Sequence, residues 1–445
     1  MSNNGRYITK IKKLLLPIAV FTLIPVFLLC GCNTEERAFK WVEGKINEHY
    51  YFPLPQDREY DGSVKDYVNK YLDMYSSFYT AEEYKKVEAT SSGSMSGLGV
   101  SYEYIPQGVY PGGQSGLYLT KVVGNSPAYH AGLRAGEFVY SGGYNGELTT
   151  FDSYSSFTLF LDGIPKDEMF VLNTDKGAYQ TRKKDYTASY CCMVTNSAEW
   201  NITYENNDMH IVEESGGKSC LPDGAAYLRL DKFYGNAAQE MAALVEKFNA
   251  EECTSLILDL RQNGGGYVDV MSNISTIYTG QLQNAMPSAG VAQYKNGGRD
   301  YFKPTVSFPA SKQLKAGVKV SVLADSGSAS ASEALVGSLI CNGVVDYSDI
   351  YISDFDEGYL SLHATANNCR TYGKGIMQST YRHPVYGYAI KLTTALIFWP
   401  DNTTTIHGTG LGTEMGCKTV KAGWSVTYDD EQLSLAVRQI YGLSD

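Results

Sequence analysis

Three short stretches bring together the residue types that acyl-transfer chemistry needs. Asp325-Ser-Gly-Ser-Ala-Ser-Ala-Ser-Glu333 follows the apolar run Val318–Ala324 and leads into the Ala- and Leu-rich segment Ala334–Ile340. A strand that ends in small residues and turns into a helix puts serine at a helix N-terminus. There the dipole and the free N–H groups can stabilise a developing oxyanion. The same run also reads as a plain serine N-cap. Arg261-Gln-Asn-Gly-Gly-Gly266 follows the apolar stretch Leu256–Leu260. Glycines there let the backbone approach a ligand closely, with amides able to face an anion. Tyr372-Gly-Lys-Gly-Ile-Met-Gln378 sets a lysine between two glycines.

A serine hydroxyl is a poor nucleophile until a base takes its proton, and a neutral lysine can be that base. An ordinary lysine, with a pKa of about 10.4, is charged at neutral pH. Bringing it down to about 7–8 needs roughly 3–5 kcal/mol of desolvation. Tyr372, Ile376 and Met377 offer apolar or aromatic surroundings, and no acidic residue occurs between Tyr359 and Gly387. A solvated loop lysine is the plain alternative. The motifs GxSxG, GxxxxGK[ST] and GxGxxG are absent, which disfavours an esterase-type elbow and phosphate or dinucleotide binding.

The elements that must position these stretches follow from periodicity. Ala226–Phe233 reads as a strand and turn, Asn236–Asn249 as a helix with Ala238, Met241, Leu244, Val245 and Phe248 on one face. From Ala226 onward strands alternate with helical segments, the α/β pattern. Residues 37–90 read as helical, with Thr80 and Glu83 spaced as a capping box. Ser91-Ser-Gly-Ser-Met-Ser96 marks a boundary, and short strands with Gly-rich turns run from Gly97 to about Tyr186.

That middle segment resembles a PDZ domain. Gly97-Leu-Gly-Val100 opens a strand, and Gly124-Asn-Ser-Pro-Ala-Tyr-His-Ala-Gly-Leu-Arg-Ala-Gly-Glu137 is similar to the family's short-helix signature. Gly132 is placed to end that helix in a left-handed conformation and Gly136 to allow the next tight turn. The resemblance implies that Gly97, Leu98, Gly99 and Val100 present amides to a peptide carboxylate while the following strand pairs with the peptide. Gly142-Gly-Tyr-Asn-Gly146 departs from the family's usual turn, so no ligand preference follows.

The four blocks YLRLDKF, LILDLRQNGGG, GSASASE and YGKGIMQ, in that order, resemble the S41 family of C-terminal processing peptidases, which are Ser/Lys proteases. The resemblance spans roughly residues 90 to 415. It implies Ser330 as nucleophile, Lys374 as general base and Gln378 as the residue that positions the lysine. Ala331 N–H with Gly265 and Gly266 would form the oxyanion hole, and Ser328 and Ser332 would be structural. No cofactor and no metal is implied. The implied architecture is multi-domain α/β: a signal segment (1–32), an N-terminal helical segment (33–95), a PDZ-like β-rich domain (96–186) and a ClpP/crotonase-like catalytic domain (187–445). The serine-to-lysine interval exceeds the family's usual one, and the excess falls around Asp346 to Asn368. That acidic-aromatic stretch is expected to be an inserted loop near the site. Gly408-Thr-Gly-Leu-Gly412 matches a family segment, with Thr413-Glu-Met in place of the usual Pro-Asp. The function implied is serine endopeptidase action on proteins or peptides through an acyl-enzyme. The alternative is a catalytically idle PDZ/S41-like peptide-binding lipoprotein.

Composition bounds the rest. The 445 residues carry 37 Lys+Arg against 48 Asp+Glu, a net charge of −11, which argues against nucleic acid as a partner. Arg6, Lys10, Lys12 and Lys13 precede an apolar run, Leu14–Leu29, interrupted by Pro17 and Pro25, as in a secretory signal. The run ends Leu29-Cys30-Gly31-Cys32, which resembles the bacterial lipobox. It implies cleavage before Cys32, lipidation of that sulfur, membrane attachment and a cell-envelope location on the periplasmic or outer face. Seven cysteines remain beyond it, none at CxxC spacing and an odd number. They read as mostly buried small hydrophobes with one or two disulfides at most. Cys191 and Cys192 are expected on opposite faces of a strand.

Overall fold

The computed structural model describes residues 34–110, 112–134, 136–195, 221, 223–355, 369–422 and 431–440. Cys32 and the signal segment, Cys220 and residues 356–368 lie outside the described residues. Among those described, no helix is long and apolar enough to cross a membrane. The chain divides into two compact units. One comprises residues up to Lys85 together with Gln378–Thr394; the other comprises Lys86–Met377 and Ala395–Asp445.

In chain order, α1 (Thr34–His49) and α2 (Val64–Tyr71) are followed by β1 (Ser77–Tyr79) and α3 (Ala81–Ser91). Ser63 caps α2 by accepting from Asp66 N–H. The Thr80–Glu83 capping box forms as expected: Thr80 N–H donates to Glu83 Oε2 (2.9 Å) and Glu83 N–H to Thr80 Oγ1 (3.3 Å).

The middle of the chain contributes β2 (Ser94–Gly97), β3 (Val100–Ile105), β4 (Gly116–Val122), α4 (Pro127–Ala131), β5 (Phe138–Tyr144), β6 (Glu147–Thr150), α5 (Tyr154–Asp162), β7 (Met169–Thr174), β8 (Gly177–Arg182) and β9 (Lys184–Thr187). The sheet runs β3-β4-β5-β7-β8, with β6 pairing β5, and all its pairings are antiparallel. Gly132 ends α4 in the left-handed region (φ 96°), as its position predicts. Leu98, Leu117, Leu119, Val139, Phe151, Phe157, Phe170 and Leu172 form this sheet's own core.

The remainder comprises β10 (Cys191–Thr195), β11 (Ala225–Leu230), α6 (Ala237–Ala250), β12 (Ser255–Asp259), α7 (Val268–Thr279), β13 (Val291–Tyr294), β14 (Arg299–Tyr301), β15 (Lys319–Ala324), α8 (Ala331–Cys341), β16 (Ile350–Phe355), β17 (Ile376–Arg382), β18 (Ala389–Phe398), β19 (Lys418–Ala422) and α9 (Glu431–Ile440). Six of these strands form a sheet in the order β10-β11-β12-β15-β16-β19. β11, β12, β15, β16 and β19 are mutually parallel and β10 is antiparallel. Both faces are covered, so β11 and β12 are buried at every position. Cys191 packs against the larger core on one face and Cys192 against the core containing Tyr227, Ile257 and Tyr351, opposite faces as expected.

Two expectations change. Asp346–Phe355 is not an inserted loop: it contains β16, whose Ile350, Tyr351 and Ile352 are fully buried and pair with Val322–Ala324. β-branched and aromatic residues suit a central strand, and this preference outweighs the flanking acids. The rest of that stretch, residues 356–368, lies outside the described residues. The N-terminal segment, in turn, is not helical throughout, and its unit takes in chain from far downstream. β1 pairs antiparallel with the start of β18 (Ser77 opposite Lys391), and the core of that unit combines Val42, Ile46, Tyr67 and Val68 with Ile390 and Leu392. In the other unit the end of β18 pairs antiparallel with β13 (Val291 opposite Phe398).

Candidate active site

In a parallel sheet every strand delivers its following loop to the same edge, where α/β folds build their sites. At that edge β11 runs into Asp231-Lys232-Phe233, β12 into Leu260–Gly266 and β15 into Asp325–Ser330.

Ser330 is the last residue before α8 and holds φ 58°, ψ −112°. A non-glycine residue there costs about 1–3 kcal/mol and persists only where its surroundings over-determine it. Those surroundings are visible. Asp325 accepts from Gln262 N–H (2.9 Å) and Gly327 N–H (2.9 Å), and Ser328 Oγ donates to Leu260 C=O (2.8 Å). Ala329 N–H and Ser332 Oγ both donate to Asn263 C=O, at 3.0 and 2.7 Å. Ser328 and Ser332 are thus structural, in keeping with the expectation for them.

Asn263 is fully buried and joins three elements. Its Nδ2 donates to Leu230 C=O at the end of β11 (2.7 Å), and its Oδ1 accepts from Gly265 N–H (3.0 Å). The glycine loop consequently lies hard against the serine. A Cβ on Gly265 would stand 2.9 Å from both Ser330 Cβ and Ala331 N, and the residue's φ of 95° already favours glycine. This packing refines the expected oxyanion donors. Gly265 N–H is engaged by Asn263, whereas neither Ala331 N–H nor Gly266 N–H makes a hydrogen bond among the described residues.

The lysine loop is tied to the same turn by Glu333. This carboxylate is buried. Its Oε2 accepts from Ser330 N–H and from Lys374 N–H, each at 2.9 Å, so those two nitrogens can be no further apart than twice that distance. Its Oε1 accepts from Thr371 Oγ1 (2.5 Å) and Gly373 N–H (2.7 Å). Burial pushes the Glu333 carboxyl above its usual range, and the hydrogen bonds from Thr371, Gly373, Ser330 and Lys374 work against that shift. Tyr372 N–H adds a bond to Ser328 C=O (3.0 Å). The acid-free neighbourhood read around Lys374 holds along the chain but not in space. Lys374 is half-buried.

The flanking glycines have a packing reason. A Cβ on Gly373 would come within 2.8 Å of Gly410 N, and one on Gly375 within 2.7 Å of His407 N. The Gly408–Gly412 segment therefore lies directly on the lysine loop. Gln378 sits on β17 in the other compact unit, where its Nε2 donates to Thr393 Oγ1 at 3.4 Å.

Glu333 and Asn263 escaped the sequence reading as functional residues. A signal for Glu333 existed, since Ser330-Ala-Ser-Glu333 has S-x-x-E spacing. Asn263 had none beyond its place before three glycines.

In the antiparallel module, Gly97 (φ 126°) and Gly99 (φ 85°) hold left-handed conformations, and a Cβ on Gly99 would stand 2.2 Å from Ser126 Cβ. Leu98 C=O accepts from Ala128 N–H (3.0 Å) and Gly99 C=O from Val123 N–H (2.9 Å). Val100 starts β3, which among the described residues is an edge strand of its sheet. Beside that edge, Tyr102 packs edge-on against Phe157 of α5 (4.9 Å) and shares a hydrogen bond with Thr158 Oγ1 (3.2 Å).

A strained serine at a helix N-terminus, an adjoining glycine loop and a lysine loop locked to the same carboxylate are the parts that an acyl-transfer hydrolase site requires. Comparison with known proteins specifies the family. Residues 224–345 match the model for Peptidase family S41. "Probable CtpA-like serine protease" of Staphylococcus epidermidis is 26% identical over 423 residues, covering 93% of this chain and 74% of the relative. A protein of the same description from Staphylococcus aureus is 23% identical over 411 residues, covering 91% and 70%. A crystal structure from Bacteroides fragilis assigned to the S41 proteases shares the fold with a TM-score of 0.58 at 14% identity, covering 91% of this chain and 98% of that one. By these matches the chain is similar to the serine-type peptidases of family S41, whose substrates are proteins or peptides, and it has a multi-domain α/β architecture.

Proposed function

We propose that this protein is a serine endopeptidase of the C-terminal processing type that works through a Ser330/Lys374 dyad. The observation that carries the reading is the single Glu333 carboxylate binding the backbone N–H groups of both residues while Ser330 sits in a strained conformation at the start of α8.

In this mechanism neutral Lys374 Nζ takes the proton of Ser330 Oγ as that oxygen attacks the scissile carbonyl. The negative charge that develops on the carbonyl oxygen is met by Ala331 N–H and Gly266 N–H at the dipole-positive end of α8. Lys374 then returns the proton to the leaving amine, and an ester to Ser330 remains. Water, deprotonated by the same lysine, hydrolyses that ester and restores the serine. Gln378 enters as the lysine's positioning residue through the family resemblance.

The antiparallel module would receive the substrate as a PDZ domain does. A peptide adds as a strand beside β3, its carboxylate at Gly97–Val100. The edge of β3, unpaired among the described residues, and the carbonyls of Leu98 and Gly99, engaged by Ala128 and Val123, support this. Lipidation at Cys32 would hold the enzyme at the cell envelope, and a Cys32→Ser protein should then leave the membrane fraction.

Mass spectrometry of a peptide digest tests the dyad. Wild type should show a serine-linked acyl intermediate at Ser330 and multiple turnovers. Ser330→Ala should abolish both, and Lys374→Ala should lower kcat by about 10³-fold or more. Cleavage by Ser330→Ala, or a kcat near the wild-type value in Lys374→Ala, would overturn the assignment.

A further inference from the structure

The edge of the parallel sheet carries one more cation that the proposed chemistry does not use. Lys232 follows β11, and its Nζ lies 3.2 Å from the point where Gly264 would carry a Cβ. Its place is fixed by the next residue. Phe233 N–H donates to Gly265 C=O (3.2 Å) and Tyr267 N–H donates to Phe233 C=O (2.9 Å), so this strand end is laced to the glycine loop that touches Ser330.

Lys232 forms no hydrogen bond or ion pair among the described residues. The adjacent carboxylate cannot serve it, because Asp231 is already held by Lys121 of β4 (3.2 Å) and by Arg229 (2.7 Å). Burial, with the nearby Lys121 charge adding to it and Asp231 opposing, brings the Lys232 pKa below its ordinary value. A half-buried ammonium in this condition is poorly solvated and gains from an arriving anion. The glycine at 264 leaves open the space into which the ammonium projects.

We propose that Lys232 binds a carboxylate of the substrate next to the scissile bond, and so determines specificity for peptides with a negative charge there. The inference rests on the serine-peptidase reading of this site. The carboxylate comes from an acidic side chain or from the C-terminus of the substrate itself, and the two sources share one chemistry. Lys232 acts in binding only and moves no proton in the reaction.

The test uses the full-length protein and fluorogenic peptides of one sequence. In one arm Glu is exchanged for Gln at each position flanking the mapped cleavage site; in the other a free C-terminus is exchanged for an amide. The wild type should show a KM about tenfold or more lower for the carboxylate member of one arm, which identifies the source. In Lys232→Met that ratio should fall to about one, and in Lys232→Arg it should persist. Lys232→Gln serves as the neutral variant should the methionine protein fail to fold. A wild-type ratio near one in both arms, or a ratio that survives in the neutral variant, would overturn the role of Lys232 alone. A wild type that cleaves no member of either panel would overturn the peptidase reading, and the Lys232 proposal with it.

Discussion

The antiparallel module of β3–β8 and the parallel sheet of β11–β19 solve opposite problems. The first leaves a strand edge open: among the described residues β3 pairs on one side only. The second leaves little of its sheet exposed. β11 and β12 are buried at every position, and what it offers to solvent is a row of loops converging at one edge. An open edge recognises backbone, which every peptide has, so it suits docking. Converging loops can hold side chains and amides from distant stretches of chain in one fixed geometry, which is what bond-breaking requires. The difference also shows in the polar interactions. Asn263 and Glu333 are buried and hydrogen-bonded between loops, whereas Tyr102 makes its hydrogen bond to Thr158 at the surface.

If rigidity at the parallel edge carries the chemistry, breaking it should cost most. Glu333→Gln preserves shape but replaces one twice-used acceptor oxygen with a donor facing N–H or O–H groups. We expect kcat to fall by about 100-fold or more with little change in KM, read by steady-state kinetics. An unchanged kcat would mean that the two loops hold their geometry without that carboxylate.

Asn263→Ala removes the side-chain bonds to Leu230 and Gly265 inside a packed interior. A loss of about 2–4 kcal/mol in denaturant unfolding is expected, since buried partners are left unsatisfied. A loss below about 0.5 kcal/mol would show that Asn263 is not the joint between these loops.

The two regions meet at the Lys121–Asp231 ion pair, and that contact has a pH signature. Burial works against ionisation of Asp231, but Lys121 and Arg229 bring its pKa down to about 2. A depressed carboxyl stabilises the fold above its unfolded pKa of about 3.9 and loses that contribution as pH falls toward 2. The wild type should lose about 2 kcal/mol over that interval through this group, and Asp231→Asn should flatten that part of the acid-unfolding curve.

The smallest effect belongs to the open edge. Gly99→Ala puts a Cβ against Ser126 at a positive φ and should distort the loop before β3. We expect KM for long peptides to rise about tenfold, with kcat on short substrates that do not reach β3 unchanged. Equal losses on both substrate classes would dissolve the distinction between docking and chemistry.

Much of this was readable along the chain. Val318–Ala324 and Leu256–Leu260 announce buried strands, and GSASASE and YGKG stand where strand meets turn. The Thr80–Glu83 box and the Gly132 cap are local in sequence, so local signals suffice for them. β16 was misread because its acids suggested exposure while its alternate partners lay on β15 and β19, far away in the chain. β18 could be recognised as a strand but not as one whose start pairs with β1 and whose end pairs with β13.

The sequence by itself determined the residue types of the chemistry, their order along the chain and the class of elements that carry them. Those depend on side-chain identity and on periodicities of two and 3.6 residues, which are properties of neighbouring residues. Only the tertiary structure decided that Gly265 N–H is engaged by Asn263, that one carboxylate joins the serine turn to the lysine loop, and that Lys232 stands beside Gly264 without a partner among the described residues. The Glu333 bridge and the approach of Lys232 to Gly264 join residues far apart in the chain, and the Asn263 side chain that engages Gly265 is itself held by Leu230 C=O, so their geometry follows from packing beside the edge of the parallel sheet.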